Sequence, residues 1–189
     1  LDLIACAATY DNAVTLNSVQ LQAGSSAGLA LVESACSKST LACLDVTRSV
    51  RDAALAQAVS KVLSLIQVKG NALKTLRLGG NGKWRAGDGA KLVAAAKSAS
   101  CVVEELDVSG SGLSVSEALD LVKACRTLKS LTLEKWAIPI GSLRSGASVE
   151  LGVETPTDAG GAVLGELLKQ NDSLTRLDLS GMQCTDQVM

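Results

Sequence analysis

A six-residue phrase recurs along the chain: apolar, two residues, apolar, one residue, apolar. Its clearest copies are Leu73-Lys74-Thr75-Leu76-Arg77-Leu78, Leu128-Lys129-Ser130-Leu131-Thr132-Leu133 and Leu174-Thr175-Arg176-Leu177-Asp178-Leu179. Apolar fourth and sixth positions around a polar fifth make a short strand with one buried face. Anchored on the fourth position, the units fall at Leu1, Val19, Leu44, Leu76, Leu106, Leu131, Val149 and Leu177, spaced 18, 25, 32, 30, 25, 18 and 28 residues apart. No such unit can bury its own apolar faces, so neighbours must stack.

Between most anchors lies a helical signal. Residues 52–69 carry Leu55, Ala58, Val59, Val62, Leu63 and Ile66 as one apolar stripe, with Asp52 to cap the start and Gly70 to stop the helix. Ser114 and Glu117 form a capping box ahead of Ala118, Leu121, Val122 and Cys125. Asp88 precedes Leu92, Ala95, Ala96 and Ala99, and Ser26 precedes Leu29, Val32 and Cys36. Thr157 precedes Val163, Leu164, Leu167 and Leu168, with Asn171 at the exit.

Strand, loop and helix per unit predict an α/β solenoid. Residues 1–189 form one domain of about seven to eight units, a curved horseshoe segment with parallel strands on the concave face and the wider helices on the convex face. Eight strands would span roughly 35 Å. The 18-residue intervals are too short for a full helix. In the second, Pro139 within Ile138-Pro139-Ile140-Gly141 argues against helix. Residues 136–155 are therefore expected to be an irregular stretch, extended or single-turn, or else a hairpin inserted into one long repeat. At the ends, Leu1-Asp2-Leu3 is already a strand core and the unit at Leu177 has no helix before Met189. Without polar caps, the array is expected to continue into a longer chain or to pack on neighbouring subunits.

Composition narrows the functional classes. Aromatic residues make up 2% of the 189, with no Phe, so the core is built from thin aliphatic layers. A net charge of −1 is a poor match to nucleic acid, and the lack of His removes most zinc sites and general bases. No cofactor or metal is expected. No apolar run approaches the ~18 residues of a membrane span, and Leu1 to Thr9 lacks the basic region of a signal peptide. The cysteines are Cys6, Cys36, Cys43, Cys101, Cys125 and Cys184, with no Cys-x-x-Cys pair. Their even count permits disulfides, but thiols scattered on core faces are expected to be reduced, in a cytoplasmic protein.

The phrase, the helices and the unit length resemble leucine-rich repeat proteins of the ribonuclease-inhibitor-like class. Leu73 to Asn81 matches that repeat's strand and following Asn, and Leu174 to Leu179 with Ser180-Gly181 looks like a second standard unit. The offset of Asn81 holds Gly24, Ser49, Ser111, Trp136 and Met182 elsewhere, so a continuous Asn ladder is absent. The resemblance implies protein binding, and the uncapped ends with the repeat coverage point to a non-enzymatic scaffold or structural subunit of a larger intracellular assembly. The same class includes regulators such as GTPase activators and the sensing arrays of innate-immune receptors, and fold does not choose among them.

Candidate contacts follow from the register. On the concave face, Asp45, Arg77, Glu105, Asp107, Glu134, Glu150, Arg176 and Asp178 are expected to meet a partner. The fifth positions are mostly acidic (Asp2 included), which favours a protein with a basic surface. The alternative is that Leu-Asp-Leu is simply common in such repeats and its Asp solvated. On the loops, Trp84, Arg85 and Trp136 are candidates, although both tryptophans also suit core filling. The Gly-rich run Gly79 to Gly89 matches neither phosphate-binding pattern and reads as a strand-to-helix loop. Asn171-Asp172-Ser173 is a glycosylation sequon that matters only in a secreted chain.

Overall fold

The computed structural model describes residues 18–20, 40–48, 53–151 and 156–180. The anchors in these stretches all become strand centres: β1 Ser18–Gln20, β2 Cys43–Asp45, β3 Thr75–Arg77, β4 Glu105–Asp107, β5 Ser130–Thr132, β7 Ser148–Glu150 and β8 Arg176–Asp178. The strand expected at Leu1 and the helix expected after Ser26 lie outside the described residues. The protein is α/β with a mostly parallel sheet, and among the described residues neither of the two sheets is closed.

Pairing is in register on the anchor. Val19 lies opposite Leu44, Leu44 opposite Leu76, Leu76 opposite Leu106 and Leu106 opposite Leu131, all in parallel pairs. The same backbone bonds recur at each step. Ala42 O accepts from both Lys74 N and Thr75 N, Lys74 O from Glu104 N and Glu105 N, and Glu104 O from Lys129 N and Ser130 N. After each strand one further rung closes, as Val46 N to Arg77 O, Leu78 N to Asp107 O and Val108 N to Thr132 O. Three-residue strands leave few groups unpaired this way.

Beneath the strands, the first, fourth and sixth positions of the phrase build the core. Leu73, Leu76 and Leu78 are buried, as are Val103, Leu106 and Val108, and Leu128, Leu131 and Leu133. Helices α1 Ala53–Ile66, α2 Asp88–Ala96, α3 Val115–Ala124 and α5 Asp158–Gln170 cover this layer. In α1 the stripe Ala58, Val59, Val62, Leu63 and Ile66 is buried, and Gly70 takes a φ of 79° at its exit. The capping box of α3 forms as the sequence predicts: Glu117 N donates to Ser114 Oγ and Ser114 N to Glu117 Oε2. Asp88 is the first residue of α2, buried and paired with Lys91 at 2.9 Å. Consecutive helices pack in order, α1 on α2 and α2 on α3, and α3 then packs on α5.

The single eight-stranded sheet of the sequence reading is corrected. Residues 133–136 turn back, and β6 Ala137–Ile138 pairs antiparallel with β5, Leu131 opposite Ile138. It occupies the edge where a further parallel strand would sit. Strands β7 and β8 form a separate parallel pair, Val149 opposite Leu177. Pro139 does not exclude helix here. It stands just ahead of the short α4, Ile140–Ser145, where a missing N–H leaves no helical bond unmade.

One side chain holds this junction. Arg144, half-buried on α4, donates through Nη2 to Val122 O (2.6 Å) and Cys125 O (3.0 Å) at the end of α3. Its Nη1 donates to Arg126 O and Leu128 O (both 3.0 Å). The guanidinium therefore answers carbonyls that the helix end leaves open. At the corners, Asn71 Nδ2 donates to Ile66 O, Val68 O and Ser100 O, and Asn171 Nδ2 to Leu143 O and Gly146 O.

Two substitutions test this account by urea denaturation. Leu131→Ala empties a fully buried site and should cost about 2–5 kcal/mol. Arg144→Ala should cost about 2–4 kcal/mol by orphaning carbonyls, and Arg144→Lys should recover only part of it, because an ammonium lacks the planar fork. Full recovery by lysine would show that charge, not fork geometry, holds the junction.

Candidate protein-binding surfaces

In β2, β3, β4, β5 and β7 the middle side chain is buried and its two neighbours point to the other face of the sheet. In-register pairing converts this alternation into two rows. One runs Cys43, Thr75, Glu105, Ser130, and the other Asp45, Arg77, Asp107, Thr132. The candidates Asp45, Arg77, Glu105 and Asp107 are thus brought together. Arg77 lies between carboxylates, 3.6 Å from Asp45 and 3.9 Å from Glu105. Glu150, Arg176 and Asp178 sit on the separate β7–β8 pair, with Glu150 beside Asp178 and Arg176 4.0 Å from Asp178. Glu134 is half-buried on the turn after β5.

The fifth-position aspartates have a local task that sequence reading missed. Asp45 Oδ1 accepts from Thr47 N (2.9 Å), Asp107 Oδ1 from Ser109 N (2.8 Å) and Asp178 Oδ1 from Ser180 N (2.9 Å). Each closes the turn that leaves its strand. Neither reading of these residues, acidic stripe or solvated Asp, included this bond. Hydrogen bonds from the Ser180 hydroxyl and N–H hold the Asp178 carboxyl below the usual carboxylate value. Each carboxylate keeps its second oxygen for other contacts.

A second charge row lies just before the strands, at the second position of the phrase. There Glu104 sits between Lys74 (3.1 Å) and Lys129 (2.5 Å). Three consecutive units contribute Lys, Glu and Lys, an alternation visible in the sequence once the register is fixed. The hydrogen bonds from Lys129, then Lys74, hold the Glu104 carboxyl below its ordinary value.

On the loop side, Trp84 and Trp136 are half-buried and pack against the core, as the filling role requires. Trp84 Nε1 is buried and has no partner among the described residues. Arg85 is exposed on the loop between β3 and α2, and Trp84 N donates to Ser111 O on the next loop. Lys83, Leu113, Leu133, Glu134 and Ala159 help line an open cleft of about 500 Å³ on the same side. Asn171 of the sequon is buried with its amide engaged in backbone bonds, which leaves no free amide for a glycan. No cluster of three or more potential metal ligands occurs among the described residues. No described helix is long and apolar enough to cross a membrane.

Because the folded-state pKa of Glu104 is depressed, its contribution to stability is complete above the ordinary Glu value of 4.5 and is lost as pH falls through the lower folded value. A thermal-unfolding series across that window should therefore show Tm falling toward acid. Glu104→Gln should reduce the slope; an unaltered slope would show that Glu104 does not contribute to it. Compared with known proteins, the sequence matches no protein-family model and no curated protein.

Proposed function

We propose that the chain is a leucine-rich repeat protein of the ribonuclease-inhibitor-like class, a curved solenoid whose open strand face binds another protein. It acts as a non-enzymatic scaffold or structural subunit of a larger intracellular assembly, in the cytoplasm. Support for the repeat comes from the recurrence of one hydrogen-bond pattern and of a buried triad at four successive copies of the phrase, from Leu41, Leu73, Val103 and Leu128.

The observation that carries the binding role is the open face of the strands. Its first and third positions carry three carboxylates, Asp45, Glu105 and Asp107, around one guanidinium, Arg77, and Glu134 follows on the turn after β5. In-register pairing holds these groups at roughly 4.8 Å intervals on a rigid backbone, so little conformational freedom is lost on binding. The excess of negative charge favours a protein with a basic surface and speeds its approach at low salt.

The test uses substitutions that spare the loops. Asn at positions 45 and 107 keeps an oxygen to accept from Thr47 and Ser109 while removing the charge. A tagged protein carrying Asp45→Asn, Glu105→Gln and Asp107→Asn should keep its thermal midpoint within a few degrees. It should lose at least tenfold of its affinity for partners that the wild type retains from its native source, and the wild-type interaction should weaken with salt. Equal retention by both proteins would exclude this face. Loss confined to Arg85→Ala would instead move the contact to the β3–α2 loop and favour a regulator that acts on its partner's chemistry.

A further inference from the structure

Each helix in the middle of the protein exits through a tight corner before the next strand. At two of these corners the chain places Asn71 and Asn171, which tie down backbone carbonyls. At the corners after α2 and α3 it places Cys101 and Cys125 instead, with their sulfurs 3.8 Å apart. Cys125 is buried, 2% exposed, and its sulfur lies 3.6 Å from both Val103 O and Thr127 Oγ1. Cys101 is half-buried and lines an open cleft of about 590 Å³ between the ends of α2 and α3. That cleft also carries Lys97, Lys123 and Arg126, with Asp120 as its carboxylate. Lys123 is paired with Glu166 at 3.2 Å, whereas Lys97 and Arg126 are exposed.

The two thiols share their protons unequally. The Cys101 S–H bond holds Cys125 below the ordinary thiol value, helped by the Leu128 N–H and the Arg144 charge and opposed by burial. The same bond and burial push Cys101 up. The resting negative charge therefore lies on Cys125, which can take the proton from Cys101 when the accessible sulfur attacks.

We propose that Cys101 and Cys125 form a thiol–disulfide exchange site, which receives a small anionic disulfide in the Lys97–Arg126 cleft. As its proton passes to Cys125, the Cys101 sulfur attacks one sulfur of that disulfide, the S–S bond breaks, and one small thiolate departs, leaving a mixed disulfide on Cys101. Cys125 then gives its proton to the departed small thiolate, its sulfur attacks the Cys101 sulfur, and the second small thiolate leaves. The protein dithiol loses two electrons and the reagent gains them; starting from both thiols, the two protons leave with the two small thiols. To form the bond the sulfurs close from 3.8 Å to roughly 2 Å. The inference stands independently of the binding role proposed for the strand face.

The experiment treats the fully reduced chain with oxidised glutathione and maps products by mass under non-reducing conditions. The expected product is a Cys101–Cys125 link, lighter by two hydrogens and reversed by dithiothreitol, formed ahead of adducts at Cys6, Cys36, Cys43 or Cys184. Cys125→Ser should stop the reaction at a stable glutathione adduct on Cys101, and Cys101→Ser should slow modification of Cys125 at least tenfold. Lys97→Gln with Arg126→Gln should slow the reaction with oxidised glutathione several-fold and leave that with the uncharged hydroxyethyl disulfide unchanged. Faster modification of any other cysteine, or a rate indifferent to both cleft cations, would overturn the proposal. The wild-type map needs no variant, so it remains decisive even if a substitution impairs folding.

Discussion

A strand of three residues cannot satisfy its own backbone, and the rest of the structure depends on that. Each N–H and C=O of β2 to β5 must find its partner on the strand before or after it. Bonds such as Lys74 O to both Glu104 N and Glu105 N meet this demand only when the anchors lie opposite one another. A slip of one residue would turn Leu76 or Leu106 out to the polar face. Hydrogen bonding and burial therefore select the same register. The short strands are stable because the two demands coincide, with each buried leucine contributing about 1.5–3 kcal/mol.

The same demand explains what happens where the series stops. After β5 the interval to Val149 holds too few residues to rise along a full helix and return. The chain instead folds back on β5 as β6, which occupies that strand's free edge. Helix α3 then meets α5 across the short α4, and its terminal carbonyls have no neighbouring corner of the regular kind. Arg144 replaces that corner with one planar, multidentate donor. Asn71 and Asn171 do comparable work elsewhere with a neutral amide. An arginine suits the junction because four carbonyls converge from two directions, more than one amide group can reach.

Charge on the strand face has two layers of purpose. An aspartate at the fifth position closes its own turn, which accounts for its recurrence as Asp45, Asp107 and Asp178 without any partner. Where Arg77 stands instead, it draws in Asp45 and Glu105 from the strands on either side. Lys74, Glu104 and Lys129 form a similar alternation one step earlier. These ion pairs are exposed and individually weak. Their regular spacing nevertheless presents a patterned surface that remains negative in balance along β2 to β5.

The spacing of apolar residues by itself determined the centres of β1 to β5, β7 and β8, their register, and helices α1, α2, α3 and α5, because burial imposes a period of two on strands and 3.6 on helices. Ser114 and Glu117 were legible as a cap for the same reason: the interaction is complete within four residues. Tertiary structure alone decided the rest. The division into two sheets depends on how residues 133–145 compete for the edge of β5, and Pro139 read in isolation points away from the helix that follows it. The grip of Arg144 on α3 and the meeting of Cys101 with Cys125 join residues 16 to 24 positions apart. Those contacts exist only after the helices have stacked, so no local pattern encodes them.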